Sequence, residues 1–371
     1  MTPLETGQRV VVSELGETPL DAIEHFVSLV EQPPPDLATL APGDVIVEVK
    51  SASVGWVDLI MSSGQYQHVP DPPYTPGLEY AGVVRWKGSA TGDRLQLGDR
   101  VIADGALTGP RSLGAHRRWG GWARWAVAPA EALLPLPAQW SFDEGCNLLG
   151  NYETAYHCLI ARGQLKAGET VLILGASGAT GLAAVQIAKL VGAKVIATGR
   201  SEAKLALVRA HGADHVIVTQ GEFKDQVKAL TGGRGVDVVY DGVGGATSAE
   251  ALRATAFGAR FLIVGWASTP LVAKGKGGRG APNVNQLPTN LIIMKSLDVL
   301  GCPTVIATLR DPAIRAPRLK QIVEWAEQGK IRPHVSHRFP LSAIRQAMLA
   351  KWSGEVTGGC VVHPDILFLI Q

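Results

Sequence analysis

Two hydrophobic periodicities divide the chain into a β-rich part and a part in which strands and helices alternate. In the first part, residues 9–13 and 44–50 alternate apolar and polar side chains, which predicts half-buried strands. Between them, residues 19–30 carry apolar side chains at helical spacing, so a helix is predicted there. Further strands interrupted by glycines are predicted within residues 74–84 and 97–102. These elements predict a small, bent, mostly β domain.

From residue 141 onward the apolar pattern changes to helices that alternate with short buried strands. Residues 141–160 are predicted to form a helix, and residues 171–198 a strand, a glycine-rich turn, a helix and a second strand. The unit then recurs, with apolar strand segments at residues 214–218, 236–240, 261–264 and 297–300. Such an alternation predicts right-handed crossovers and a parallel, doubly wound sheet. A sheet of this kind binds its ligand at the carboxyl ends of the strands.

The turn after strand 171–174 contains only small residues. Small side chains allow an anion to approach closely, and the free N–H groups at a helix N-terminus attract a phosphate. The turn departs from the GxGxxG pattern, because an alanine stands at one of the glycine positions. We predict that it binds the pyrophosphate of a dinucleotide through Ala176, Ser177, Gly178, Ala179, Thr180 and Gly181. The alternative is a glycine turn that only packs the helix on the strand.

The residues after the second strand distinguish the two nicotinamide cofactors. An NAD site places an Asp or Glu there for the ribose 2'-hydroxyl, whereas an NADP site provides cations and hydroxyls for the 2'-phosphate. NADPH is favoured here, because the strand ends in hydroxyl and cationic residues: Thr198, Gly199, Arg200, Ser201 and Lys204. Glu202 favours NAD, but its place behind Ser201 also fits the first turn of a helix. Two later strands end in Asp241-Gly242 and Val264-Gly265, which we assign to the same site.

Composition and charge narrow the range of partners. The chain has 371 residues, of which 46% are hydrophobic, so it is long enough for two domains. A net charge of +2 with 18% charged residues gives no reason to expect nucleic acid or a membrane surface as partner. The four cysteines are scattered without a CxxC spacing, which predicts reduced thiols in a cytoplasmic protein. No apolar run approaches the roughly 18 residues of a membrane span.

Several motifs resemble, in order, those of the medium-chain dehydrogenase/reductase family. The likeness is to its zinc-independent branch of NADPH:quinone oxidoreductases and enoyl reductases, and it lies in YTPGLEYAGVV (74–84), GDRV (98–101), NYETAY (151–156), GASGATG (175–181), VYDGVGG (239–245) and VGWAS (264–268). The resemblance implies an α/β fold with a doubly wound parallel Rossmann sheet inserted into a bent, mostly β (GroES-like) catalytic domain. It implies a catalytic domain at residues 1–149 and 305–371 and an NADP-binding domain at residues 150–304.

The metal positions of the alcohol dehydrogenase branch carry no ligands in this sequence. In that branch the catalytic metal is held by a cysteine near the position of Gly55 or Trp56 and by a histidine at the position of Leu78, and neither is present here. The structural zinc lobe with four close cysteines is absent too. No metal is expected, because a tetrahedral zinc site needs about three protein ligands. Without a Lewis acid, the expected reaction is hydride transfer from NADPH to a quinone or an α,β-unsaturated carbonyl compound.

The resemblance also implies roles for individual side chains. Tyr66 corresponds to the proton-donating tyrosine of enoyl reductases, or it is an aromatic wall that only stacks on the substrate. Asp58 corresponds to an acidic residue of the substrate cleft, or it is a solvated helix residue. Asn151 and Thr154 correspond to positions that face the nicotinamide, although a capped helix start would explain either residue equally well.

Three positions depart from the pattern of this branch. Gly55 replaces an asparagine, which puts a substrate or ribose contact in doubt. Thr219, which we include in the cofactor site, replaces a tyrosine at the 2'-phosphate end, and Gly359 replaces a lysine. The loops at residues 105–119 and 269–287 are longer than is usual in this branch. They determine substrate choice or form an interface; the alternative is that they are insertions without a function.

Three functions therefore remain open. The first is NADPH-dependent reduction of quinones or α,β-unsaturated carbonyl compounds. The second is reduction of 2-enoyl thioesters, which needs a channel for an acyl chain, and the third is a non-catalytic NADPH-binding relative. The resemblance implies a homodimer formed by pairing the nucleotide-domain sheets, and residues 297–305 are apolar enough to form that contact.

Overall fold

The structure, a computed structural model, describes residues 3–112, 114–268 and 285–364. Within these ranges the chain forms two compact units. The β-rich unit comprises residues 3–149 and 335–364, and the Rossmann unit comprises residues 150–268 and 285–334.

The elements follow one another along the chain as two interleaved sets of strands and helices. The strands are β1 (Gly7–Val12), β2 (Val27–Gln32), β3 (Asp44–Ser53), β4 (Tyr80–Lys87), β5 (Arg100–Ala103), β6 (Trp125–Pro129), β7 (Leu133–Pro135), β8 (Thr170–Leu174), β9 (Lys194–Gly199), β10 (His215–Val218), β11 (Val236–Asp241), β12 (Thr255–Ile263), β13 (Asp298–Gly301), β14 (Val335–Pro340) and β15 (Gly359–His363). The α-helices are α1 (Pro19–Asp21), α2 (Trp56–Met61), α3 (Phe142–Gly145), α4 (Leu149–Tyr156), α5 (Ala179–Val191), α6 (Glu202–Ala210), α7 (Lys224–Leu230), α8 (Ala246–Arg253), α9 (Thr289–Met294), α10 (Thr304–Arg310), α11 (Arg315–Glu327) and α12 (Ile344–Trp352).

The β-rich unit is built around β3, which is buried along almost its whole length. One edge of β3 pairs with β4, and the other is shared by β6 and β15, in a sheet of order β14-β15-β3-β4-β5-β7. The β3–β4 register shifts after Ile46 and again after Val49, and such irregularities bend a strand. The expected bent β domain, with β14 and β15 returning from the end of the chain, is confirmed.

The Rossmann unit contains a six-stranded parallel sheet of order β10-β9-β8-β11-β12-β13. All five residues of β8 are buried, as expected for a strand covered on both faces. Helix α5 ends at Val191 and is capped by Gly192, whose φ of +86° is the left-handed conformation that glycine adopts readily. The strand order reverses between β8 and β11, so the predicted doubly wound sheet is confirmed.

The helix predicted over residues 19–30 is confirmed only as far as Phe26. The structure has the short helix α1, a π-helix at Ala22–Phe26, and then β2, which replaces the rest of the predicted helix and pairs antiparallel with β1. Val27 lies opposite Val12 in this pair, and both side chains are fully buried. Pairing with β1 satisfies the backbone of these residues, so the tertiary contact overrides a helical pattern of side chains.

The helix predicted over residues 141–160 is interrupted. Helix α3 ends at Gly145, α4 begins at Leu149, and a π-helix at His157–Arg162 continues α4. A Cβ at Gly145 would lie 2.5 Å from Leu136 Cδ1, so Gly145 packs closely on Leu136 within the β-rich unit.

The second boundary of the Rossmann unit differs from the predicted one. The sequence placed it at residue 305, whereas residues 305–334 pack with the Rossmann unit. The buried carboxylate of Glu153 explains this, because it accepts hydrogen bonds from Arg315 Nη2 (2.6 Å) and Arg318 Nη2 (2.8 Å) of α11. No helix in the described ranges is long and apolar enough to cross a membrane.

Candidate functional site

The carboxyl ends of β8 and β11 meet where the strand order reverses. Gly175 follows β8 with a φ of +64°, and a Cβ at this position would lie 2.9 Å from Val243 Cγ2 in the loop after β11. Connections that leave two neighbouring parallel strands in opposite directions open a crevice at this end of the sheet. The glycine turn therefore lies where doubly wound sheets bind their ligands.

The first turn of α5 provides the free N–H groups of this crevice. Helix α5 begins at Ala179, three residues earlier than the apolar pattern indicates, and Gly178 is its N-cap. The first backbone bond runs from Leu182 N–H to Gly178 O (2.8 Å). The N–H groups of Ala179, Thr180 and Gly181 precede that bond and have no acceptor within the helix. They form the donor set that suits a phosphate.

Two residues of the predicted phosphate turn, Ala176 and Gly181, hold the turn and the helix in place. Ala176 is fully buried, and its N–H donates to Thr198 O (2.9 Å), so this N–H is not available to a ligand. A Cβ at Gly181 would lie 2.6 Å from Gly175 O, so glycine is needed there to pack the helix against the turn. Ser177, Gly178, Ala179 and Thr180 are partly exposed, and they are the residues that a ligand can reach.

The polar groups of the last residues of β9 bond mainly to neighbouring strands, and few of them are left for a ligand. Thr198 is buried, and its hydroxyl donates to Ile173 O at 3.5 Å. Gly199 O accepts from both the N–H (2.8 Å) and the hydroxyl (3.2 Å) of Thr219. Thr198, Gly199 and Thr219 thus join the ends of neighbouring strands, and the two hydroxyls are already bonded to carbonyls.

Arg200 is the cation directly at the end of β9. It is exposed and has no ion pair or hydrogen bond within the residues that the structure describes. Ser201 begins α6 as its N-cap, accepting the Lys204 N–H at 3.4 Å, and Glu202 lies in the first turn as predicted. The end of β9 therefore presents an unpaired guanidinium beside a serine and a lysine.

Asp241 and Gly242 lie beside Val264 and Gly265, as the strand pattern predicts. The Asp241 carbonyl accepts from Val264 N–H (2.8 Å) and Gly265 N–H (3.1 Å), and its carboxylate accepts from the Ser248 hydroxyl and from two backbone N–H groups. Burial raises the pKa of Asp241 above its ordinary value. Its carboxylate therefore shapes the loop after β11, and Gly242, with open space at its Cβ position, forms the accessible surface.

Asn151 lies at the N-terminus of α5, although it belongs to α4. Its Oδ1 accepts a hydrogen bond from the Thr180 hydroxyl at 3.1 Å. Thr154, one turn further along α4, donates its hydroxyl to Gly150 O (2.7 Å). The structure thus brings Asn151 to the crevice, and it shows that Thr154 lies within the helix rather than at its start.

Glu153 is a residue of this region that sequence reasoning missed. Burial alone would raise its pKa, but hydrogen bonds from Arg315 and Arg318 hold that pKa below its ordinary value. The partners lie 162 and 165 residues away in the sequence, so no local pattern signals the contact. The ion pairs fix α4, the helix that carries Asn151 and Thr154.

In the β-rich unit, Asp58 is a buried structural carboxylate. Its Oδ2 accepts from Gly55 N–H (2.9 Å), and its Oδ1 accepts from Gly77 N–H and Leu78 N–H (3.1 Å each). Burial raises the pKa of Asp58 to about 6, against the opposing effect of these N–H groups. The alternative of a solvated helix residue is wrong, because the carboxylate is buried and joins the start of α2 to the 77–78 turn. Its place as an acidic residue of the substrate cleft stays a prediction.

Tyr66 lies in the turn after α2, next to polar side chains that have no partners. Its ring contacts the ring of His68 edge to face, with centroids 6.0 Å apart. Both polar atoms of the Gln65 side chain and Nε2 of His68 are buried without a hydrogen bond. Tyr66 is partly exposed, so its phenol is reachable by a ligand.

The positions at which this sequence departs from the family pattern leave little room for another side chain or are occupied by an apolar one. The Gly55 N–H is bound by Asp58, and Leu78 is buried. A Cβ at Gly359 would lie 2.5 Å from Asn147 Oδ1, so a lysine does not fit there without rearrangement. Across the described residues, no group of three or more His, Cys, Asp and Glu side chains is arranged to hold a metal ion.

Comparison with known proteins assigns the chain to a family. Residues 41–138 match the alcohol dehydrogenase GroES-like domain, and residues 179–315 match the domain described as zinc-binding dehydrogenase. The quinone oxidoreductase-like protein 2 homolog of Nematostella vectensis is 32% identical over 365 residues, which cover 98% of this chain and 90% of that protein. The chain belongs to the medium-chain dehydrogenase/reductase family. It falls in the zinc-independent quinone oxidoreductase branch, as the motifs predicted.

Solved structures of this family have the same fold over nearly the whole chain. A probable oxidoreductase from Mycobacterium abscessus is 31% identical, with a TM-score of 0.78 over 97% of this chain and 99% of that one. The Escherichia coli quinone oxidoreductase, solved in complex with NADPH, is 24% identical, with a TM-score of 0.76 over 96% of this chain and 100% of that one. The predicted combination of a GroES-like domain with a Rossmann sheet is confirmed.

Proposed function

We propose that this oxidoreductase transfers a hydride from NADPH to a quinone or to an α,β-unsaturated carbonyl compound, without a metal ion. The observation that carries the proposal is the exposed, unpaired guanidinium of Arg200 at the end of β9, as found within the described residues. The names of the relatives support the reaction class, and NADPH in the Escherichia coli structure supports the cofactor.

The Rossmann unit has the donors that this cofactor requires. The N–H groups of Ala179, Thr180 and Gly181 suit the pyrophosphate, because they lie at the positive end of α5. Arg200 and the Ser201 hydroxyl suit the 2'-phosphate, and Glu202 is placed in α6 rather than at the end of β9. When bound, NADPH supplies the hydride.

Tyr66 is the proposed proton donor for unsaturated carbonyl substrates. Hydride addition to the β-carbon of such a compound leaves an enolate, which needs a proton at its α-carbon or oxygen. A quinone instead yields a hydroquinone anion, whose oxygens are readily protonated by water. The phenol of Tyr66 is therefore required for the first substrate class and dispensable for the second.

We also propose that the protein is a homodimer and works in the cytoplasm. Strand β13 is an edge strand of the Rossmann sheet, and edge strands present unpaired N–H and C=O groups to a second chain. All four cysteines are free and buried, which suits a reducing compartment.

The test is NADPH oxidation by the purified protein with four acceptors: an ortho-quinone, a para-quinone, an alkenal and a 2-enoyl thioester. Each acceptor is assayed with the wild type, with Tyr66→Phe, and with Tyr156→Phe, a matched loss of a phenol that packs on Trp325 in the other unit. We expect Tyr66→Phe to slow the alkenal reaction about 100-fold or more and to leave quinone turnover nearly unchanged.

The remaining outcomes separate the competing functions. Thioester turnover well above that of the alkenal would make the protein a 2-enoyl-thioester reductase. NADPH binding without oxidation by any acceptor would contradict the proposal and favour a non-catalytic relative.

A further inference from the structure

A second unpaired arginine lies in the β-rich unit. Arg111 belongs to the long 105–119 loop, is half-buried, and donates from Nε to Gly105 O at 3.2 Å. Gly105 packs on the turn that Asp58 holds, since a Cβ there would lie 2.3 Å from Leu78 O. Among the described residues, no carboxylate lies within ion-pair distance of the Arg111 guanidinium.

Asp58 does not act as the partner of this arginine. Its two oxygens already accept three backbone N–H groups, and Arg111 acts on it only through longer-range attraction. A guanidinium loses hydration when it is partly buried, and a loop that holds it without a counter-ion leaves its two outer nitrogens open to an anion.

The charge of Arg111 also reaches the segment that carries Tyr66. Burial and then the positive charge of Arg111 lower the pKa of His68 below its ordinary value, which favours the neutral imidazole. The buried Nε2 of His68 and the buried amide of Gln65 have no hydrogen-bond partner. Unpaired buried polar atoms are costly, and a ligand that bonds to them removes that cost.

We infer that Arg111, together with His68 and Gln65, recognises a carboxylate on the acceptor substrate. The inference rests on the proposed function and names its substrate class: a quinone or unsaturated carbonyl compound that carries an acidic group. A guanidinium presents two parallel N–H groups that match the two oxygens of a carboxylate. A phosphate dianion suits the place less well, because the nearby Asp58 carboxylate repels a dianion more strongly than a monoanion.

His68 links this recognition to the proposed proton donor. Its ring contacts Tyr66, so a carboxylate held by Arg111 and His68 would anchor the substrate beside the phenol. Binding energy from a remote group of the substrate then serves to orient the reacting carbons.

The first measurement compares a γ-keto-α,β-unsaturated carboxylic acid with its methyl ester as acceptors of NADPH. We expect Arg111→Met to lower kcat/KM for the acid about 10- to 100-fold and to change that for the ester less than about twofold. Arg111→Lys should recover part of the loss, because it keeps the charge without the two parallel donors. The control is Arg117→Met, an arginine of the same loop that already pairs with Asp71.

The second measurement is calorimetric titration with the saturated keto acid and its ester, which needs no turnover. The acid is expected to bind the wild type at least about tenfold more tightly than it binds Arg111→Met, with no such difference for the ester. Equal losses for acid and ester, or no binding of the acid to the wild type, would overturn the inference.

The two proposals can fail separately. If the ester is reduced and Arg111→Met does not discriminate against the acid, the reductase assignment stands and carboxylate recognition is wrong. If no acceptor oxidises NADPH but the saturated acid binds through Arg111, the binding site stands and the proposed function is wrong.

Discussion

Asp58 closes a loop of the β-rich unit by binding backbone groups 19 and 20 residues further along the chain. A carboxylate that accepts three N–H groups is stabilised in its charged form, yet burial outweighs this effect and raises the pKa to about 6. The protonation of Asp58 is therefore linked to the stability of the turn that carries Gly77 and Leu78.

The sign of this linkage gives a pH-dependent prediction. The folded protein binds the Asp58 proton more tightly than the unfolded chain, so the stabilisation is present below the ordinary pKa of 3.8 and is lost as the pH rises through about 6. This loss amounts to about 3 kcal/mol. The side chain introduced by Asp58→Asn does not titrate, so only the wild type loses this stabilisation as the pH rises. The variant should therefore be less stable than wild type at pH 4, and the difference between their free energies of unfolding should decrease by about this amount at pH 7.

Urea titrations of both proteins at each pH measure that difference. Asp71→Asn, which removes an exposed carboxylate of the same unit, serves as the control and should show no comparable change. A deficit of Asp58→Asn that is the same at both pH values would contradict the assignment.

Arg200 carries the second prediction at the scale of a single residue. Arg200→Ala should weaken NADPH binding about 10- to 100-fold, the range of one charge-assisted hydrogen bond to a phosphate, and leave NADH binding nearly unchanged. Arg209→Ala removes a cation from the last turn of α6, the helix that follows Arg200, and is the matched control. Fluorescence titration with both cofactors measures the effect, and equal losses for NADH and NADPH would refute the phosphate role.

At the scale of elements, local patterns predicted the centre of the Rossmann unit well. The strand at residues 171–174 and its partner ending near residue 198 are confirmed as β8 and β9. The apolar pattern of this helix begins only at Leu182, three residues after the start of α5, because Ala179, Thr180 and Gly181 are too small to show an amphipathic pattern. Their small size reflects two demands at once, the close packing of Gly181 on Gly175 and access to the helix N-terminus.

Contacts between distant segments account for what the sequence did not predict. β2 is a strand because it pairs with β1, although its own side chains follow a helical spacing. Residues 305–334 belong to the Rossmann unit because α11 supplies the arginines that neutralise Glu153. The role of Asp58 depends on backbone N–H groups, which carry no sequence signal at all.

Only the last three residues of the predicted loop at residues 269–287 lie within the described residues. Residues 269–284 lie outside the described residues. Asn285 is described, and its Oδ1 accepts the Gly245 N–H at 2.7 Å. Its side chain therefore supports the loop after β11, next to the crevice, and this contact across 40 residues was not predicted.

At the scale of the whole molecule, an apolar patch adjoins the edge of the Rossmann sheet. Phe257, Ile293 and Met294 are 80%, 78% and 75% exposed, and the bond from Gly258 N–H to Lys295 O (2.8 Å) holds their segments together. Within the described residues, β13 pairs with β12 alone. An unpaired strand edge next to exposed apolar side chains is the kind of surface that a second copy of the same chain covers in a two-fold dimer.

The homodimer proposal predicts a mass of twice 39.2 kDa for the wild type in light scattering after size exclusion. Replacing Ile293 and Met294 by Glu places two like charges in an interface that the two-fold axis duplicates, so this variant should elute as a monomer. Leu97→Glu, which changes a 54% exposed leucine of the β-rich unit, should remain a dimer. A monomeric wild type at micromolar concentration would contradict the proposal. A double variant that stays dimeric would instead place the interface elsewhere on the molecule.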